Sequence, residues 1–130
     1  MIWKTLIVDD EPLARVRMRN LLLEYPQDIE IIGEAGSGEE AIQKIRSLSP
    51  DLVFLDIQMP DINAFDVLNS LNEEEIPLVV FTTAFDDYAL RAYEENTIDY
   101  LLKPIEDERL SLTMEKLRKI GRASCRERVS

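Results

Sequence analysis

Five polar residues stand where short apolar runs end. Asp9 and Asp10 follow Leu6-Ile7-Val8, Asp56 follows Leu52-Val53-Phe54-Leu55, Thr83 follows Leu78-Val79-Val80-Phe81, and Lys103 follows Tyr100-Leu101-Leu102. One such residue means little, because strands commonly exit through Asp, Thr or Lys. Five from four runs form a constellation. Three carboxylates crowded together repel, and at least one takes up a proton unless a cation joins them. A hard divalent ion resolves this, since Mg2+ prefers oxygen ligands and keeps several waters. Lys103 adds a positive charge, and Thr83 a hydroxyl with one donor and two acceptor sites. Carboxylates, Mg2+, a lysine and a hydroxyl are what a phosphoryl group needs when it transfers onto an aspartate.

For these side chains to meet, the runs must be parallel strands of one sheet. The pattern between them supplies the crossovers. Pro12 sits where a helix starts and its missing N–H costs nothing; Ala14, Met18, Leu21 and Tyr25 follow at helical spacing, and Pro26 stops the helix. A second strand runs from Ile29 to Glu34. Ser37-Gly38-Glu39-Glu40 is a capping-box signature, Ala41, Ile45 and Leu48 give that helix its buried stripe, and Ser49-Pro50 ends it. A loop from Gln58 to Asn63 leads to a helix carrying Phe65, Leu68 and Leu71. A fourth helix is expected from about Asp86 to Glu95, with Asn96 as a left-handed cap. The last helix has Leu110, Met114 and Leu117 on one face, acids in its first turn, and Lys116, Arg118 and Lys119 in its last.

Short, near-continuous apolar strands alternating with amphipathic helices imply a parallel sheet covered on both faces. Five β-α units fit an α/β, flavodoxin-like doubly wound sheet of order 2-1-3-4-5 with five helices better than a barrel, which needs about eight. In such an open sheet the ligand crevice lies outside the carboxyl ends of the strands. All five polar residues therefore converge on one rim.

Composition narrows the field. The 130 residues carry 15 basic and 26 acidic side chains, a net charge of −11, and no histidine. His-ligated metals and His-based triads are excluded. A body this acidic is poorly suited to grip a phosphate backbone. Residues 121–130 hold three arginines and one glutamate, so residues 1–120 stand at 12 basic against 25 acidic. That basic tail lacks apolar periodicity and reads as a linker or a non-native extension to a domain of residues 1–120. Cys125, the single cysteine, lies in it and cannot form an internal disulfide, in keeping with a reducing cytoplasm. No run reaches the roughly 20 apolar residues of a membrane span, and no secretory leader follows Met1.

Leu-Ile-Val-Asp9-Asp10-Glu11, Phe-Leu-Asp56-Ile-Gln-Met59-Pro60, Phe-Thr-Thr83-Ala84 and Asp-Tyr100-Leu-Leu-Lys103-Pro104 together resemble the receiver domain of bacterial two-component response regulators, over residues 1 to about 118. Glu11-Pro12-Leu13-Ala14-Arg15 and Ile98-Asp99-Tyr100-Leu101-Leu102-Lys103-Pro104-Ile105 lean toward regulators with a LytTR-type DNA-binding output. The resemblance implies that Asp56 accepts a phosphoryl group from a sensor histidine kinase. It makes Asp9, Asp10, Asp56 and the Gln58 backbone carbonyl the Mg2+ ligands. Lys103, Thr83 and the Ala84 N–H would contact the phosphoryl oxygens, and Tyr100 would change rotamer with Thr83. It further implies control of transcription through an output domain outside this chain, no DNA recognition by the chain itself, and a phosphorylation-dependent homodimer through the fourth helix, fifth strand and fifth helix. The domain would process only its own phosphoryl group and turn over no free substrate.

Two positions depart from the family pattern. Ala64 stands where a glycine is usual, and a positive φ there would strain it; Asn96-Thr97 replaces Gly-Ala. An Asp-nucleophile phosphatase would want a second acid two residues after Asp56, where Gln58 stands. A receiver acting only as an interaction module typically loses an acid or the lysine, and all are present. Asp9-Asp10-Glu11 alone would equally suit a helix N-terminus, Tyr100 alone a core position, and Glu73-Glu74-Glu75 a solvated loop.

Overall fold

A computed structural model describes residues 1–85 and 97–129, with side chains through Gly121. Along the chain run β1 (Trp3–Val8), α1 (Pro12–Leu22), β2 (Ile29–Ala35), α2 (Gly38–Leu48), β3 (Leu52–Asp56), α3 (Ala64–Asn69), a 3-10 turn (Glu73–Glu75), β4 (Leu78–Thr83), β5 (Thr97–Leu102) and α4 (Asp107–Val129). The strands form one parallel sheet of order β2-β1-β3-β4-β5. This is the flavodoxin-like arrangement expected, with four helices among the described residues; the helix expected over 86–95 and the Asn96 cap lie outside them.

Strand periodicity splits the core into two. Leu6, Val8, Val53, Leu55, Val79 and Phe81 point to one face and pack with Ala41, Ile45, Ala64 and Val67 of α2 and α3. The intervening residues Ile7, Leu52, Phe54 and Val80 point to the other and pack with Met18, Leu22, Leu110, Met114 and Leu117 of α1 and α4. Successive side chains alternate across a sheet, so a continuous apolar run is what burial on both faces requires. The central strands are fixed by both layers at once, and their carboxyl ends inherit that rigidity.

Several boundaries differ from expectation. Helix α1 ends at Leu22, before Tyr25; Tyr25 instead donates its N–H to the Leu22 carbonyl and accepts from Asp28 and Ile29 in the turn into β2. Ala64 opens α3, fully buried, and does not adopt positive φ, so no strain arises there. The single positive-φ residue described is Ser49, the C-cap of α2, at 48°. Glu73–Glu75 forms a 3-10 turn rather than an open loop, held by the Asn72–Glu75 capping contacts and the ion pair of Glu75 with Arg46. Helix α4 runs on past residue 120 to Val129.

Candidate functional site

The strand ends meet as the topology demands. Strands β1 and β3 are neighbours, with Val8 opposite Leu55, so Asp9 and Asp56 leave the sheet side by side. Both are buried, at 5% and 4% exposure, while Asp10 is half-buried. One oxygen from each of Asp9, Asp10 and Asp56 lies within 4.8 Å of the others. Lys103 reaches over from β5, its Nζ 2.6 Å from Asp9 Oδ2 and 3.4 Å from Asp56 Oδ2. The Asp9 carboxylate also accepts the Glu11 N–H at 3.0 Å, which anchors it to the turn into α1.

Three acids face one ammonium, and the electrostatics record the imbalance. Burial, and then the charge of Asp9, push the Asp56 carboxyl up to about 7, although Lys103 pulls the other way. Burial also disfavours the Lys103 ammonium, yet its bond to Asp9 and the charge of Asp56 hold its proton more tightly than usual. An oxygen-lined cluster short of positive charge, open on the crevice side at Asp10, suits a hard divalent cation that keeps part of its water shell. The residues present therefore fit Mg2+. Gln58 is exposed, at the start of the loop that leaves Asp56.

The expected switch residues lie on the adjoining strands. Thr83 is fully buried at the end of β4, and its carbonyl accepts the Lys103 N–H at 2.7 Å. Its hydroxyl accepts the Phe85 N–H at 3.1 Å, while the Tyr100 hydroxyl donates to the Phe85 carbonyl at 2.7 Å. Phe85 thus joins Thr83 to Tyr100 through its backbone, a link sequence reasoning missed because no side-chain type announces it. Ala84, exposed, sits between them.

A further buried acid also escaped notice. Asp99 of β5 accepts from Nη1 and Nη2 of Arg109, at 2.9 and 2.6 Å, from Thr113 Oγ1 at 2.7 Å and from the Tyr100 N–H at 2.8 Å; Lys116 Nζ stands 3.2 Å away. Burial by itself favours the protonated form, but the Arg109 and Thr113 bonds outweigh it and draw the carboxyl down to about 2. The available signal was an acid inside an apolar strand, matched by Arg109, Thr113 and Lys116 at helical spacing on one face of α4.

The chain belongs to the response regulator receiver domain family, whose model matches residues 5–115. It is 53% identical over 115 residues to the transcriptional regulatory protein BtsR of Salmonella typhi, covering 88% of this chain and 48% of that protein. It is 51% identical over 112 residues to an uncharacterized response regulatory protein of Vibrio cholerae, covering 86% of this chain and 47% of the relative. The chain thus spans about half the length of the curated relatives it matches. Among solved structures, the receiver domain of AraT, a response regulator from Geobacillus stearothermophilus, superposes with a TM-score of 0.81 at 29% identity, over 95% of this chain and 99% of that one. Among the described residues no helix is long and apolar enough to cross a membrane.

Proposed function

We propose that this chain is the phosphorylation switch of a two-component transcriptional regulator, with Asp56 as phosphoacceptor. The observation that carries this reading is the cluster of Asp9, Asp10 and Asp56 within 4.8 Å, faced by Lys103. A sensor histidine kinase would present a phosphohistidine at the crevice. An oxygen of the ionised Asp56 attacks phosphorus, the P–N bond breaks with its electron pair passing to the imidazole nitrogen, and an acyl phosphate remains on Asp56.

Asp9, Asp10, Asp56 and the Gln58 carbonyl would hold Mg2+. When bound, the ion neutralises charge on the transferring oxygens and helps to orient them. Lys103 would pair with a phosphoryl oxygen, and the Thr83 hydroxyl at the end of β4, the strand next to that of Asp56, and the Ala84 N–H just past it would take up others. Turning Thr83 toward the phosphoryl group would disturb its bond with Phe85, and through Phe85 the Tyr100 hydroxyl. The switch is reset when water attacks phosphorus, the bond from the Asp56 oxygen to phosphorus breaks and inorganic phosphate leaves, so the domain acts only on its own phosphoryl group.

Residues 1–120 form the switch, residues 121–130 a basic tail or linker, and the output lies outside this chain. The names of the relatives support transcription as that output. The motifs from Glu11 to Arg15 and from Ile98 to Ile105 support a LytTR-type DNA-binding domain in the cytoplasm. A phosphorylation-dependent homodimer would use the segment over 86–95, β5 and α4, where Leu102 and Leu112 are exposed.

Acetyl phosphate or its beryllofluoride mimic should modify the wild-type chain with Mg2+ present and fail without it. Asp56→Asn should abolish the reaction, and Asp10→Ala should raise the Mg2+ concentration required. Undiminished labelling of Asp56→Asn would overturn the assignment.

A further inference from the structure

The loop that leaves Asp56 is tied down at three places. Its start is fixed where the Ile57 N–H donates to the Thr82 carbonyl at 2.9 Å. Its end is fixed where the Ala64 N–H returns to the Ile57 carbonyl at 3.0 Å and Asn63 forms a reciprocal cap with Asp66. Its middle is held across a gap in sequence. Asp61 Oδ1 accepts the Gly38 N–H at 3.0 Å and Oδ2 the Glu39 N–H at 2.9 Å.

Those two amides open α2, whose first turn has unsatisfied donors and a partial positive charge. Ser37 caps only the Glu40 N–H, and Glu40 turns back to the Gly36 N–H, so Asp61 completes the set from another element. Gly38 permits this approach: a Cβ there would stand 2.3 Å from Ile62 Cγ1 and 3.1 Å from the Ile62 carbonyl oxygen. The carboxyl is held below its ordinary range, first by the Gly38 N–H and then by the Glu39 N–H. The contact is therefore a carboxylate clamp between α2 and the loop carrying Gln58.

We propose that Asp61 is a positioning residue for the metal site: by clamping the loop to the start of α2 it fixes the Gln58 carbonyl in reach of the ion. This rests on the Mg2+ site read above. Partners behind the ligands typically contribute about 10- to 100-fold in metal affinity, and one link in a loop fixed elsewhere belongs at the lower end.

The test is calorimetric titration of Mg2+ into the full chain, beside hydrogen exchange at the Ile57 and Ile62 amides without metal. Asp61→Ala should raise the Mg2+ dissociation constant about tenfold and speed exchange at Ile62. Asp61→Asn keeps one acceptor and should fall between Asp61→Ala and wild type. Asp66→Ala, which removes the Asn63 N–H to Asp66 carboxylate half of the α3 cap without touching α2, should leave Mg2+ affinity unchanged. Wild-type affinity in both Asp61 variants, or an equal loss in Asp66→Ala, overturns the positioning role. A wild-type chain that binds no Mg2+ overturns the reading of the site itself, and the proposal with it.

Discussion

Asp56 and Asp99 are both buried aspartates on strands of the same sheet, and their surroundings drive them to opposite ends of the acid range. Asp99 has a bidentate guanidinium, a hydroxyl and a backbone N–H, and its carboxyl sits at about 2. Asp56 has one shared lysine and two neighbouring acids, and its carboxyl sits at about 7 without a cation. The first is complete as it stands. The second is stabilised only when something positive arrives. A buried carboxylate left short of partners in a crevice is the better candidate for chemistry, because structural ion pairs tend to be satisfied within the fold.

The largest effect separates the two by reactivity. Asp56→Asn should lose all labelling by acetyl phosphate, whereas Asp99→Asn should still label with Mg2+, as mass spectrometry of the intact protein would show. Labelling lost in a folded Asp99→Asn would erase the distinction. Stability should then move in opposite directions. Asp99→Ala should lower the unfolding free energy by about 2–3 kcal/mol, since it strands buried Thr113 and unpairs Arg109. Metal-free Asp56→Asn should raise it by about 1 kcal/mol after allowing for solvent screening, since one of three crowded acids is gone. Urea titration of both variants reads the two signs.

The pH dependence sharpens the contrast. Asp99 binds fewer protons folded than unfolded, so its contribution is present above the ordinary carboxylate value of about 4 and is lost as pH falls toward about 2. Asp56 binds more protons folded than unfolded between about 4 and about 7. Stability of the metal-free chain should therefore decline as pH rises through that window, by about 1 kcal/mol. Melting curves across both windows should show slopes of opposite sign. Asp56→Asn should flatten only the upper one, and saturating Mg2+ should do the same to wild type. The smallest effect belongs to Tyr100→Phe, which removes one partly exposed bond to Phe85 and should cost about 0.5–1 kcal/mol in urea titration.

Legibility in the sequence followed how local the cause was. Strand ends were readable because a polar residue closing an apolar run is visible within a few positions, and the crevice rule then gathers Asp9, Asp10, Asp56, Thr83 and Lys103. The turn after α1 was misread because Tyr25 keeps helical spacing after the helix has ended at Leu22. Ala64 was flagged for a conformation it does not adopt, since the loop reaches α3 without a left-handed residue. Asp61 was missed because its partners lie on an element more than twenty residues away, and Asp99 because it was read only as part of a motif, although Arg109 and Thr113 of the next helix were within reach. Glu40 was read as the reciprocal half of a capping box, and it does turn back, though to Gly36 rather than to Ser37.

The strand order carries one more consequence. Asp9 ends the first strand and Lys103 the last, and the chain must lay down β2, β3 and β4 before the lysine can face the acids. No partial sheet lacking β1, β3, β4 or β5 holds the whole site, while the edge strand β2 carries none of it. A nascent or locally opened molecule with β5 unpaired would carry the three carboxylates without their counter-charge. Binding that needs all of these groups is thermodynamically linked to pairing of those four strands, so the ability to accept a signal doubles as a certificate that this part of the sheet has assembled.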